Sequence, residues 1–258
     1  LRNGSAVSTT TDANGHYEFG TSLGLTPGTY RVLQTQPSDY EYSVGEVPGT
    51  VAGAAIGATA GGNILAEITI PLGDQHAINY DFAEAKGAQL CGFVYHDRND
   101  NGIRETGEEG IGGVQLLITP ISTIGNQASI TVMTDANGKY CVDGLAPGEY
   151  TVTQLAQPLG FVDGKDTPGK VDGVTVGTVI NPGDKLSNIV LGSGSAGLEY
   201  NFGELKYGSI SGHVKITTPE GDCVSFGHPD YRPIAGMVVE LHDASGNVVR
   251  TTVTDNQG

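Results

Sequence analysis

The chain repeats itself. "TDANGHYEF" at 11–19 returns as "TDANGKYCV" at 134–142, and "TDNQG" stands at 254–258. "LTPGTYRV" (25–32) matches "LAPGEYTV" (145–152), and "NYDFAEAK" (79–86) matches "EYNFGELK" (199–206). "QLCGFVY" (89–95) is answered by "SISGHVK" (209–215), so the offset is 120 to 123 residues throughout. That period is too long for a solenoid repeat and is the size of a whole sandwich domain. The middle unit, 87–206, is read as complete. Residues 1–86 are read as the later part of a preceding unit and 207–258 as the opening of a divergent following one. Both ends are expected to be cuts through a longer protein.

Within the middle unit the apolar residues alternate with polar ones, the pattern of a half-buried strand. Leu90, Gly92 and Val94 form one such row, followed by Val114, Leu116 and Ile118, then Ile130 and Val132. Tyr140 and Val142, Tyr150 and Val152, Val174 and Val176, Ile189 and Leu191, and Tyr200 and Phe202 continue the series. No stretch has helical periodicity. Forty Gly and 12 Pro supply turns such as "DANG" and "APGEY", whose Asn, Pro and Gly suit the required backbone angles. The expected fold is all-β, with two packed sheets per unit.

The formal charge is −16, with 13 basic against 29 acidic residues. No basic cluster is present to track a phosphate backbone, so nucleic acid is not an expected partner. Anionic lipid would be repelled and cations attracted. No apolar run approaches the roughly 18 residues that cross a membrane, and no membrane insertion is expected.

One loop concentrates oxygen. From Asp97 the chain reads D-R-N-D-N-G-I-R-E-T-G-E, with oxygen-bearing side chains at positions 1, 3, 5, 9 and 12 and glycine at 6. This is the spacing of the EF-hand calcium loop. Asp97, Asn99 and Asn101 can face one point, and Gly102 permits the sharp turn. Ile103 would offer its carbonyl while its side chain packs on the core, Glu105 sits at the position often bridged by water, and Glu108 can close the site with both oxygens. An all-oxygen set favours calcium over zinc. Without a cation, repulsion among Asp97, Glu105 and Glu108 is expected to fray the loop. A strand pattern follows it where an EF-hand has a helix, so the ion would staple strands and not swing helices. His96 is assigned to the strand end.

Three stretches together, "GFVYHDRNDNGIRETGEEGIGGVQLLI", "TDANGKYCVDGLAPGEYTVTQ" and "YNFGEL", resemble the B-type repeats of bacterial serine-aspartate-repeat surface adhesins (SdrD B-like domains), relatives of Cna B-type domains. The resemblance implies tandem immunoglobulin-like or transthyretin-like β-sandwich repeats, with calcium on Asp97, Asn99, Asn101, the Ile103 carbonyl, Glu105 and Glu108. It also implies a rigid repeated segment of a large secreted or cell-surface protein. Some Cna B-type relatives carry an isopeptide bond from a first-strand lysine. "LCGFVYHD" has none, so the middle unit is expected to lack one; Lys215 occupies the first strand of the third unit. That unit replaces the calcium loop with "TTPEGDCVSFGHPDYRP", in which Asp222, His228 and Asp230 follow no metal-site spacing.

Cys91 and Cys141 lie in strands and point to one face; a disulfide across one sheet and two unpaired small residues both stay open, with Cys223 left over. No nucleophile elbow, zincin helix, P-loop or dinucleotide fingerprint appears, and no enzyme is expected. The leading function is a calcium-stiffened extracellular stalk or spacer, with calcium and neighbouring repeats as partners. The alternative is a ligand-binding module gripping a host protein or glycan through loops such as 157–170 or 120–128. The absence of Trp weakens the glycan case.

Overall fold

A computed structural model of the chain describes residues 6–216, 221, 224 and 226–258. Among them a single 3-10 turn, Thr21–Leu23, interrupts an otherwise all-strand structure. No helix among them is long and apolar enough to cross a membrane. The described residues form two compact units, one reaching to Lys206 and one from Tyr207 to Gly258.

In the first of these, residues up to 86 contribute β1 (Gly28–Leu33), β2 (Tyr42–Val47), β3 (Ile64–Ile70) and β4 (Asp81–Ala85). β1 pairs antiparallel with β3, and β2 with β4. Leu65, Ile68 and Tyr80 make a small core beneath them. Residues 16–19, "HYEF", match a strand of the middle unit yet are not a strand here, since no described partner strand lies beside them.

The middle unit is a full sandwich. Its strands are β5 (Ala88–His96), β6 (Gln115–Thr123), β7 (Ile130–Met133), β8 (Lys139–Leu145), β9 (Gly148–Gln154), β10 (Val162–Asp163), β11 (Lys170–Val171), β12 (Val174–Thr175), β13 (Thr178–Val179), β14 (Lys185–Leu191), β15 (Ala196–Leu198) and β16 (Phe202–Leu205). One sheet runs β7-β6-β9-β14-β13, and the other runs β10-β16-β5-β15-β11-β12 with β8 also on β5. β15 and β16 both lie parallel to β5 as one interrupted strand. The break falls at Glu199–Asn201, where Glu199 has φ 62 and the Asn201 side chain accepts the free Phe93 N–H at 2.9 Å.

The alternating rows meet between the sheets. Leu116, Ile118, Tyr150, Val152, Leu186 and Ile189 from one face Leu90, Val94, Tyr140 and Phe202 from the other, all at most 1% exposed. Burying each contributes about 1.5–3 kcal/mol. Buried phenols need acceptors. Tyr150 donates to the Ala146 carbonyl at 2.5 Å and Tyr200 to that of Val176 at 2.9 Å. Tyr30 and Tyr80 repeat both bonds in the preceding part, onto Thr26 and Ile56. The recurring turn aspartates behave alike too: Asp135 Oδ1 accepts the N–H groups of Asn137 and Lys139, as Asp12 Oδ1 does those of Asn14 and His16.

One inward assignment fails. Val174 is 66% exposed, because β11 and β12 form a two-residue hairpin at the sheet edge with Asp172 and Gly173 at positive φ. Val171 packs on the core instead. The short strands β10, β11, β13 and β15 have too few residues to show a period and escape the alternation reading. In the Tyr207–Gly258 unit, β17 (Val238–His242) and β18 (Val248–Val253) form an antiparallel hairpin, and Lys215–Ile216 pairs with Arg232–Pro233.

Candidate metal centre

β5 delivers the loop. It ends at His96, whose ring meets Glu109 at 3.1 Å and Phe161 edge-on, so this histidine belongs to the strand end. The next residue, Asp97, is fully buried, and its N–H donates to the Glu204 carbonyl at 2.9 Å. The chain then folds back on the Asp97 carboxylate. Oδ1 accepts the N–H of Asn101 at 3.2 Å and Oδ2 that of Gly102 at 2.7 Å. The turn needs left-handed backbone at Asp100 (φ 54) and Gly102 (φ 76), the second of which favours glycine. Asn99 Oδ1 shares the Asn101 N–H at 3.1 Å, and Asn101 Oδ1 accepts the Ile103 N–H at 2.7 Å.

The far end closes on the same point. Glu108, 8% exposed, accepts the N–H of Arg98 with Oε1 and that of Glu105 with Oε2, each at 2.9 Å. Asn99 Nδ2 donates to Glu105 Oε2 at 2.8 Å. Arg98 holds Glu109 at 2.7 Å, and with His96 keeps that carboxyl down at about 2. Arg104 lies 4.0 Å over the Phe93 ring. The segment between β10 and β11 clamps the loop: the Lys165 ammonium donates to the Asp100 carbonyl and the Thr167 hydroxyl to that of Gly102.

The structure therefore brings Asp97, Asn99, Asn101, Glu105 and Glu108 into one hydrogen-bonded knot. Ile103 departs from expectation in its side chain, which is 61% exposed and does not pack on the core. The loop turns it outward as its N–H turns in toward Asn101. The donor chemistry fits a hard cation, since every group offered is oxygen and each carboxylate oxygen keeps a further lone pair. Among the described residues no cationic side chain pairs with Asp97, Glu105 or Glu108. Nor do three His, Cys, Asp or Glu side chains among them stand grouped as a ready-made cage. The loop oxygens are engaged on loop N–H groups.

A second set of carboxylates lies beside the loop. Asp163 of β10 sits opposite Glu204 of β16. Gln154 joins Glu204 (2.5 Å) to Asp184 (3.2 Å) through one amide. Asp166 is 3% exposed with neither oxygen hydrogen-bonded, and Glu204 is 1% exposed with Oε2 unpartnered. Burial pushes Asp166 up to about 8, with the charges of Asp163, Asp184 and Glu204 adding to it. Glu204 is raised to about 7, again chiefly by burial. Tyr95 stands fully buried with its hydroxyl unpartnered. Burial first, then the charges of Asp97, Glu108 and Asp166, raise its phenol. The signal for this cluster was parity. Gln154 continues the inward row of Tyr150 and Val152, and Glu204 continues that of Phe202.

Cys91 and Cys141 are paired directly across β5 and β8 and are disulfide-bonded, Cα to Cα 4.1 Å. Of the candidates in the following unit, His228 and Asp230 are exposed neighbours 3.7 Å apart. Asp222 and Cys223 lie outside the described residues.

Residues 88–175 match the model of the SdrD B-like domain. Serine-aspartate repeat-containing protein F of Staphylococcus epidermidis is 30% identical over 261 residues, covering 96% of this chain and 14% of that protein. Serine-aspartate repeat-containing protein E of Staphylococcus aureus (strain USA300) is 30% identical over 266 residues, covering 99% of this chain and 20% of that protein. The chain thus spans a fifth or less of these curated relatives. Among solved structures, the Bacillus anthracis TIE protein overlays with TM-score 0.36 at 12% identity, over 90% of this chain and 42% of that one.

Proposed function

We propose, from the match of residues 88–175 to the SdrD B-like domain model, that this chain is a calcium-stiffened stalk segment of a bacterial surface adhesin. Asp97, Asn99, Asn101, Glu105 and Glu108, with the carbonyl of Ile103, would hold the ion outside the cell. When bound, the ion would supply positive charge to the loop's carboxylates. The chain's own residues do the rest. Gly102 and Asp100 set the turn, Glu204 and Thr167 moor the loop to β16 and its neighbour, and Glu108 ties the last turn to the first.

One observation carries the reading. Asp97 is fully buried in a protein of charge −16, with no cationic side chain against it among the described residues. A buried carboxylate demands charge compensation.

Extracellular repeats of this kind bind at roughly 10⁻⁴–10⁻³ M. Binding to the folded form alone would then add about 1–3 kcal/mol. Calorimetric titration of the full chain and melting with calcium or a chelator test this. Heat of binding and a raised midpoint are expected, both lost in Asp97→Ala/Glu108→Ala. No heat and an unmoved midpoint would refute it.

Both loops that a ligand-gripping module would use are tied into the chain itself. Gln157, Lys165 and Thr167 bond to Asp184 and to the calcium loop, and Gln127 bonds to Tyr42 and Ala146. Those bonds favour stiffening over capture.

A further inference from the structure

Between β4 and β5 the chain has only two residues, Lys86 and Gly87, and three of their four polar backbone groups are hydrogen-bonded. The Lys86 N–H donates to Ser193 Oγ at 2.9 Å, and the Lys86 carbonyl accepts the Gly194 N–H at 3.1 Å. The Gly87 N–H donates to Glu41 Oε2 at 2.7 Å. One residue on, the Tyr42 hydroxyl donates to the Gly144 carbonyl at 2.6 Å, with Gln127 Oε1 at 3.2 Å beside it. Tyr42 is opposite Ala85, the last residue of β4, so its phenol projects where the linker leaves. A β-carbon on Gly87 would lie 2.7 Å from Gly144 Cα, so two backbones touch at this point. The Lys86 ammonium covers the Tyr40 ring at 5.1 Å.

We propose that Glu41, Tyr42 and Gly87 form a latch, and that the face made by Gln127, Gly144 and Ser193 is a socket for a preceding repeat that carries that latch. The partner it fits is thus a second repeat of this kind whose second strand opens with a carboxylate and a phenol and whose linker has glycine. The socket reads hydrogen-bond donors and a missing side chain, not apolar area, so it discriminates by residue identity. Removing Glu41 leaves the Gly87 N–H to water; removing the Tyr42 hydroxyl leaves the Gly144 carbonyl to water. Each such bond is small beside a core contact but decisive for a two-residue linker.

The middle unit lacks the latch at the same register. Val162, opposite Leu205, stands where Tyr42 stands opposite Ala85. Phe161 replaces Glu41 and Tyr207 replaces Gly87 in the repeat alignment. At these positions the middle unit therefore has no carboxylate, no phenol on that strand and no linker glycine. Joints along the array therefore come in kinds, set by three positions. This does not depend on the loop holding calcium.

The test uses the full chain and residual dipolar couplings of residues 28–85 and 88–206. In the wild type both sets are expected to fit one alignment tensor. In Glu41→Ala/Tyr42→Phe the tensors are expected to separate while chemical shifts inside each part stay put. Gly87→Ala, which pries the two backbones apart by another route, is expected to do the same. Two tensors in the wild type would overturn the latch. So would a single unchanged tensor in both variants.

Discussion

Asp97 Oδ2 takes the Gly102 N–H at 2.7 Å, and both groups are sealed from solvent. The same carboxylate is therefore a structural acceptor and the proposed first ligand, and two substitutions separate the roles. Asp97→Ala strands the buried Gly102 N–H and is expected to cost about 1–3 kcal/mol even with chelator present. Asp97→Asn keeps an acceptor and is expected to melt close to wild type in chelator. Both are expected to lose calcium binding. Full calcium affinity in Asp97→Asn, read by calorimetry, would remove the carboxylate from the site.

Asp166 sets an unusual pH dependence. Its carboxyl is raised from 3.8 to about 8 by burial and then by Asp163, Asp184 and Glu204. Between those values the folded chain holds a proton that the unfolded chain releases. Its contribution is thus complete below about pH 4 and is lost as pH rises through about 8. In chelator, the midpoint is expected to fall by roughly 5 °C or more from pH 5 to pH 8. Asp166→Asn is expected to flatten that fall and to melt higher than wild type at pH 8. An identical slope in the variant would place the titration elsewhere.

The sandwich was legible because its long strands bury one face each: Tyr150 with Val152, and Leu116 with Ile118, follow the period of two to the core. Val174 shows the limit. A two-residue edge hairpin has the same alternation as a buried strand, and only pairing decides which way it turns. The loop at 97–108 was legible as a spacing, since its turn is local and Gly102 and the side-chain acceptors lie within six residues. The cluster of Asp163, Asp166, Asp184 and Glu204 was not. Parity marks Glu204 as inward, but Asp163 and Glu204 stand on β10 and β16 while Asp166 and Asp184 lie in the loops after β10 and before β14, and nothing local announces that the four meet. The joint at Lys86–Gly87 was visible only as a short linker; Tyr42 and Gly144 are 102 residues apart.

The Cys91–Cys141 bond closes a separation of 50 residues. In the chain-entropy model that is worth about 4 kcal/mol, a figure that native-state effects often reduce. Cys91→Ser/Cys141→Ser is expected to lower stability by about 2–4 kcal/mol in denaturant titration. Calcium binding is expected to persist in it, because the bridge lies at the middle of β5 and the loop begins after its end. A variant as stable as wild type would show that β5 and β8 are held by pairing alone.

Gly92 faces inward for want of room. A β-carbon there would lie 1.8 Å from the Tyr200 carbonyl oxygen and 2.9 Å from the Tyr140 hydroxyl. Those two groups are themselves joined by a buried hydrogen bond of 2.7 Å. Gly92→Ala must push the break between β15 and β16 away from β5, and backbone yields less readily than a side chain. The expected cost is about 3 kcal/mol, the upper end for an overpacked core. Gly192→Ala, with open space at its β-carbon, is the control and is expected to stay within about 0.5 kcal/mol. The displacement also reaches the loop, because β16 carries the Glu204 carbonyl that holds the Asp97 N–H. Weaker calcium binding should therefore accompany the lost stability in Gly92→Ala and not in Gly192→Ala. A Gly92→Ala protein with wild-type midpoint and affinity would mean that Tyr200 does not cross β5 at this distance.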